Sequence, residues 1–188
     1  MSPVVDPTPL FIAGAGLLAA FAGIGMIDGA YFHIVKYKLH TRRESFVEHV
    51  THTLNAIFFP PIVYLLLYRD SAGLALWAAA ALVVVDVGIE SWDVLIERCS
   101  RSSLGGLTPV EYWIHMMAVT LRIGGMAVLF AARPLAAWSL SAPSVLSGEP
   151  PHAVRLVALA LIVGATITAA QHVWLLQPRY RARQGASL

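Results

Sequence analysis

The sequence predicts an all-α, polytopic membrane protein: a helical bundle of about five transmembrane helices, four of which form a core bundle. Hydrophobic residues make up 57% of the 188 residues and charged residues only 13%, about half of the charged share usual in a soluble domain. Five apolar stretches also reach the roughly 20 residues that a helix needs to cross a bilayer. So few charges cannot cover a surface that faces water. We therefore expect a single transmembrane domain, residues 1–188, with the lipid bilayer as its main partner.

Turn and helix-start signals between the apolar stretches define the order of the helices. Prolines, the last of them Pro9, precede the first stretch, and residues 68–71 are typical of a tight turn between the second and third. Thr108 and Pro109 form an N-cap and N1 pair before the fourth helix, and the proline-rich stretch 133–151 is the long loop before the fifth. The predicted helices cover residues 10–36, 45–68, 72–98, 109–132 and 153–177.

The distribution of Lys and Arg predicts the orientation in the membrane, because cytoplasmic loops carry an excess of both. The richer side receives Lys36, Lys38, Arg42, Arg43, Arg98, Arg101, Arg179, Arg181 and Arg183. The other side receives Arg69, Arg133 and Arg155. We therefore expect the N-terminus outside and the C-terminus in the cytoplasm, in a bacterial inner membrane. The net charge of +2 is too small to indicate a nucleic-acid partner, and the single cysteine, Cys99, excludes an intramolecular disulfide.

Ionisable residues inside the predicted helices are the strongest functional signal, because such residues are costly in a membrane. They lie near the helix ends that we place in the cytoplasm, most within roughly 3–12 Å of that surface at a rise of about 1.5 Å per residue. Helices 1 to 4 therefore bring their polar ends to one layer. We predict that this layer is a metal site, with ligands drawn from Asp28, His33, Glu48, His49, His52, Asp86, Glu90, Asp93, Glu111 and His115.

The third helix carries an acidic stripe. At about 100° per residue, its acids fall within roughly 60° of one another. They are Asp86, Glu90, Asp93 and Glu97. Such neighbours repel each other unless protons, arginines or metal ions intervene. We expect Arg122 on the fourth helix to pair with Asp86, and Glu97 has the alternative of pairing with Arg98 or Arg101 as surface charge.

Asp28 and His33 on the first helix can take two geometries. In a regular α-helix they lie about 140° apart and do not share a site. A π-bulge adds one residue to a turn and would bring them nearly together. Glycines at Gly23, Gly25 and Gly29 loosen this region, and the sequence leaves both geometries open.

A short motif occurs twice. Residues 45–52 and 108–115 both read Ser/Thr-x-Val-Glu-x-x-x-His at the start of a helix, and each follows an acid on the preceding helix, Asp28 or Glu90. The repetition suggests two related helical hairpins around a shared polar centre, although short motifs also recur by chance.

The same motif predicts helix caps. Ser45 with Glu48, and Thr108 with Glu111, have the spacing of a capping box. Capping would explain both glutamates without a metal ion, but it does not call for the histidine one turn later in each helix.

The placement of Glu-x-x-x-His on even helices and of acids on odd helices resembles carboxylate-bridged di-metal, chiefly di-iron, four-helix-bundle proteins. In those bundles two helices each contribute a Glu and the other two each contribute Glu-x-x-His. The resemblance implies two divalent metal ions, iron first, with zinc or manganese as alternatives that the same oxygen and nitrogen ligands suit. The spacing here is i+4 rather than i+3, and the helix connections are short. His172 on the fifth helix reaches the same depth and is an additional candidate ligand.

Several functional hypotheses follow from a metal site in this layer. The first is a membrane oxidoreductase that acts with O2 or peroxide on a lipophilic substrate. The second is a divalent-metal transporter, or a metal-binding membrane protein without catalysis; the nearly apolar outer halves of the helices argue against a path through the membrane. The others are a b-haem electron carrier with axial histidines and a hydrolase that uses a single zinc ion and its bound water.

Overall fold

The computed structural model describes residues 6–146 and 148–177, and its regular elements are helices. The five long helices are α1 Thr8–Met26, α2 Phe46–Val63, α3 Gly73–Ser100, α4 Pro109–Ala131 and α5 His152–Leu176. α1 continues as a π-helix over Ile27–Lys36, and α2 continues as one over Tyr64–Tyr68. All five predicted helices are confirmed, and the predicted ends differ from the observed ones by no more than two residues.

Each of these helices, taken with its π-helical extension, is long and apolar enough to cross a membrane, at 23 to 29 residues. Their outward faces are apolar, and Leu74, Val84 and Leu95 are all more than two-thirds exposed. Large apolar surfaces of this kind are unfavourable in water and suit contact with lipid. The all-α membrane bundle is confirmed, and the length and composition of its helices indicate an integral membrane protein.

The direction in which the chain crosses the membrane stays a prediction. Three of the basic residues on which it depends, Arg179, Arg181 and Arg183, lie outside the described residues. The two ends of the bundle are therefore named by their contents. The cluster end is where α2 and α4 begin, and the Arg133 end is where α2 ends and α3 begins.

The helices pack as neighbouring pairs: α1 lies along α4, and α2 lies against both α3 and α5. Two glycines allow α1 and α4 to approach closely. A Cβ atom at Gly14 would lie 2.7 Å from the side chain of Leu129, and one at Gly125 would lie 2.9 Å from that of Leu18. Small residues at such contacts are typical of membrane helices, whose association depends on close backbone packing.

The Arg133 end is held by apolar packing and by one buried cation. Leu66, Leu76 and Leu129 are completely buried there. Arg133 Nη2 donates to the Leu66 carbonyl oxygen at 2.7 Å, and Arg133 Nε lies 3.3 Å from Asp70 Oδ1. Burial raises the pKa of Asp70, and the nearby Arg133 offsets part of that rise. This end therefore contains a buried ion pair in an otherwise apolar setting.

The π-helix at the end of α1 decides between the two geometries of Asp28 and His33. A π-turn contains more residues than an α-turn, so that residues five apart come onto one face. His33 Nε2 lies 3.5 Å from Asp28 Oδ2, and the backbone N–H of Tyr37 donates to the Phe32 carbonyl at 3.0 Å. The π-helical alternative is confirmed, and the regular α-helical one, which would separate the two side chains, is wrong.

Candidate metal centre

Five side chains from three helical segments meet at the cluster end, and we call them the histidine cluster. They are Asp28, His33, Glu48, His52 and His115. They form two groups, Asp28 with His33 and His115, and His33 with Glu48 and His52. Within each group one possible ligand atom from every residue lies within 4.8 Å of the others. Both groups could hold a metal ion, and His33 belongs to both.

His33 is the centre of the cluster. Its Nε2 lies 3.5 Å from Asp28 Oδ2 and 4.0 Å from Glu48 Oε1. Its ring centroid is 4.5 Å from that of His52 and 5.9 Å from that of His115. The π-helix therefore brings the α1 residues toward the histidines of both α2 and α4.

Two acids of α3, Glu97 and Asp93, contact His115 and His52 of the histidine cluster. Glu97 Oε1 is 2.9 Å from His115 Nδ1, while His115 Nε2 is 3.0 Å from Asp28 Oδ1. Asp93 Oδ2 lies 3.4 Å from His52 Nε2. Histidines that bind metals usually have such a carboxylate or carbonyl on the second ring nitrogen, which fixes the orientation of the ring.

Glu97 is a residue for which the surface alternative is wrong. It is only 8% exposed and contacts His115, rather than pairing with Arg98 or Arg101 at the surface. The physical reason is that Glu97 lies on the side of α3 where His115 of α4 approaches, so that its carboxylate contacts the histidine rather than water. Sequence reasoning therefore missed Glu97 as a member of the site.

Arg101 is the other residue that sequence reasoning missed. Its side chain is 1% exposed, and its Nη2 lies 2.9 Å from Glu48 Oε1 and 3.0 Å from His33 Nε2. Its Nη1 lies 3.3 Å from Glu111 Oε1. Because a guanidinium only donates, His33 Nε2 accepts this hydrogen bond. The sequence did contain a signal. The two motif glutamates, Glu48 and Glu111, needed a cation if they were buried, and Arg101 directly follows α3 at the same end of the bundle.

The cluster end contains more buried acid than buried arginine. The buried carboxylates, each at most 8% exposed, are Asp28, Glu48, Asp93, Glu97 and Glu111. Among the described residues, Arg101 is the one buried arginine at this end. Buried charges require partners, so the remaining negative charge has to be balanced by protons on the carboxyls or histidines, or by a bound cation. The electrostatics of the site are therefore compatible with cation binding.

A separate ion-pair group lies deeper in the bundle. Arg122 Nη2 donates to Asp86 Oδ2 at 2.6 Å, and Arg122 Nη1 lies 3.1 Å from Glu90 Oε2. Asn55 Nδ2 also donates to Glu90 Oε2, at 2.9 Å. The expected pairing of Arg122 with Asp86 is confirmed. The acidic stripe of α3 is thus divided, because Asp86 and Glu90 face Arg122 while the later acids face histidines.

Among the described residues, Glu111 and His49 also lie outside the two groups that could hold a metal ion. Glu111 Oε2 accepts a hydrogen bond from the Tyr37 hydroxyl at 2.8 Å, in addition to its contact with Arg101. The ring of His49 stacks on that of His172, with centroids 4.9 Å apart. Metal binding by either residue stays a prediction, and His172 faces His49 rather than His33.

The two predicted capping boxes have different outcomes. On α4 the Thr108 hydroxyl accepts from the Glu111 N–H at 3.3 Å, and Glu111 Oε2 accepts from the Thr108 N–H at 3.2 Å, so this box is confirmed. The box on α2 is wrong, because Ser45 makes no side-chain cap. Ser45 is buried and donates to the Ser100 carbonyl at 3.2 Å instead. The end of α3 covers the start of α2 and takes this hydroxyl.

Comparisons of the chain with models of protein families, with curated proteins and with solved structures find no match. The class of protein is therefore defined by the fold and the site. It is a membrane protein of five helices with a buried cluster of carboxylates and histidines, arranged in a way that is compatible with metal binding.

Proposed function

We propose that this chain is an integral membrane metalloprotein that binds a divalent metal ion through Asp28, His33 and His115. The observation that carries the proposal is the convergence of possible ligand atoms from these three residues within 4.8 Å of one another. The contact between Glu97 and His115 Nδ1 supports it, because it leaves Nε2 directed toward Asp28.

The second group is the weaker site. Arg101 contacts His33, which both groups share, and it also contacts Glu48, which only the second group contains. A metal ion there would have to displace the guanidinium or tolerate its repulsion. Because both groups share His33, the arrangement favours binding of one metal ion. The two-ion site implied by the di-metal resemblance would require the His33 ring to bind both ions.

The ligand set supports an oxidoreductase. Two histidines and one carboxylate with open positions are the ligands of non-haem Fe(II) oxygenases, whereas a similar set with a bound water also serves catalytic zinc. We propose iron as the metal, with zinc and manganese as alternatives. A lipophilic substrate fits a site inside a bundle with an apolar outer surface. The metal would supply the redox chemistry, while Arg101 and the acids of α3 balance the charge around it.

Divalent-metal transport is the second candidate function. The ion-pair group of Asp86, Glu90 and Arg122 favours it, because it places polar groups deeper in the membrane than the cluster. The Arg133 end argues against it, since Ala79 and Leu129, which are completely buried, belong to a continuous apolar core. The oxidoreductase is therefore the better-supported proposal.

Elemental analysis of the purified protein, together with an optical spectrum, tests the proposal. We expect the wild type to retain iron, zinc or manganese in stoichiometric amount and His115→Gln to lose most of it. The matched control is His172→Gln, which alters another buried histidine outside both groups. After unbound iron has been removed, Fe(II)-loaded wild type should also consume O2 in proportion to its bound Fe(II), which is oxidised to Fe(III), whereas His115→Gln treated in the same way should consume little.

The proposal is contradicted if the wild type binds none of the three metals after reconstitution, or if both histidine variants lose metal equally. Metal uptake into proteoliposomes without O2 consumption would support the transporter instead. A Soret band would identify the b-haem alternative. The structure supports that alternative less, because the rings of His33 and His52 meet edge to face rather than on opposite sides of a porphyrin plane.

A further inference from the structure

A surface cavity of about 520 Å³ lies at the cluster end, between the end of α1 and the start of α2. Residues 36–38 and 41–44 of the connecting segment line it. The charged residues in this lining are Lys36, Lys38, Arg42, Arg43 and Glu44. Four cations therefore surround the cavity with one acid, and the excess of positive charge is local rather than a property of the whole chain, whose net charge is +2.

The one acid, Glu44, offsets part of this positive charge, and the segment has a defined shape. Glu44 accepts a hydrogen bond from the Ser103 hydroxyl and lies 3.7 Å from Arg42 Nη1. Arg42 Nε donates to the Tyr37 carbonyl at 3.0 Å. Lys38 adopts a left-handed backbone conformation with φ of 50°, which residues other than glycine and asparagine seldom adopt. The turn therefore places its cations in a specific arrangement around the cavity.

We propose that this cavity binds a phosphate-type anion, carried either by the headgroup of an anionic lipid or by a soluble phosphate compound. Lys and Arg near a membrane surface attract anionic headgroups, and the cavity lies where α1 and α2 leave the apolar part of the bundle. Lys38 and Arg43 supply exposed cations, and Arg42 supplies a half-buried one. The proposal does not depend on the metal ion.

The cavity is also connected to the histidine cluster. Tyr37 lines the cavity, and its hydroxyl donates to Glu111 Oε2 at 2.8 Å. Glu111 in turn contacts Arg101, which contacts His33. An anion in the cavity would therefore be linked to His33, the centre of the cluster, through the contacts of Tyr37, Glu111 and Arg101.

Binding to the purified full-length chain in neutral detergent tests this inference. The probes are short-chain phosphatidylglycerol and inorganic phosphate, each titrated by calorimetry. Lys38→Gly with Arg43→Gln removes two cations, and the glycine suits the left-handed backbone, so the turn should keep its shape. We expect this double variant to bind the favoured probe about 25-fold more weakly, at about fivefold per cation.

The matched control is Arg98→Gln, which removes an exposed cation at the same end that does not line the cavity. If the lipid binds saturably and inorganic phosphate does not displace it, the cavity is a headgroup site. If inorganic phosphate displaces the lipid with a similar affinity, the cavity is a site for soluble phosphate. No saturable binding of either probe, or equal weakening in the double variant and in Arg98→Gln, would overturn the inference. Metal content is measured in parallel, so a failure here is distinguishable from a failure of the metal site.

Discussion

Residues 45–52 at the start of α2 and residues 108–115 at the start of α4 have the same sequence pattern but different structural roles. In both turns the glutamate contacts Arg101 and the histidine lies beside His33. The turn on α4 caps its own helix, because Thr108 and Glu111 form a reciprocal capping box. The turn on α2 has no such cap.

The difference comes from what covers each helix start. Thr108 is exposed, so its hydroxyl remains available for its own helix. Ser45 is completely buried against the end of α3, where it donates to the Ser100 carbonyl, and Ser100 in turn donates to Glu48. The same local pattern thus produces a helix cap in one place and a tertiary contact in the other. The motif identifies the helix start, whereas burial decides what the motif does.

Replacing Arg101 by Leu would disturb both turns at once and is expected to have the largest effect. The substitution leaves Glu48 and Glu111 without the cation that they share, and the loss of a buried partner of this kind costs about 3–5 kcal/mol. Thermal unfolding in detergent measures the change. Arg98→Leu, at an exposed position of the same end, should alter stability by about 0.5 kcal/mol or less; equal effects of the two variants would contradict the shared role of Arg101.

The substitutions Glu48→Gln and Glu111→Gln are expected to differ in their effect on metal affinity. Glu48 Oε1 lies 4.0 Å from Nε2 of the proposed ligand His33, whereas Glu111 is linked to His33 through Arg101. We expect Glu48→Gln to weaken metal binding by about 10–100-fold, as substitutions beside metal ligands do. Glu111→Gln should leave the affinity close to that of the wild type. Competition with a fluorescent chelator measures both, and equal losses would show that the two turns have the same relation to the metal.

Substitutions at the two cap positions should have smaller effects that still differ between the turns. Thr108→Ala removes a cap and should cost about 1 kcal/mol, whereas Thr108→Asp should retain stability because aspartate also caps helices. Ser45→Asp should cost about 1–3 kcal/mol, since a buried carboxylate cannot donate to the Ser100 carbonyl. Melting temperatures in detergent report all three variants. Tolerance of aspartate at both positions would mean that Ser45 acts as a cap after all.

The features that were predictable from the sequence are those that depend on local pattern or on a single strong pairing. The five helices follow from apolar length, the capping box of α4 follows from spacing, and the pairing of Arg122 with Asp86 follows from the need of a membrane-embedded charge for a partner. Each of these features is set by one helix or by one pair of residues.

The remaining features depend on how the helix ends cover one another. Arg101 follows the last turn of α3 and looks like an ordinary surface cation, but the starts of α2 and α4 bury it. Glu97 looks like a helix-end charge, yet its contact is with a histidine on α4. His49 shares a helix start with Glu48 and still faces α5. None of these positions follows from the periodicity of a single helix.

The π-helix of residues 27–36 has a consequence for related sequences, because it makes the site depend on the type of helix as well as on residue identity. If this segment returned to α-helical hydrogen bonding, Asp28 and His33 would lie about 140° apart, although every ligand would still be encoded. Deleting one residue between them would give a spacing of four, which an α-helix places within about 40° on one face. An acid and a histidine five residues apart in a π-helix are therefore equivalent to a pair four residues apart in an α-helix, and an alignment of related sequences has to open a one-residue gap there to match the two.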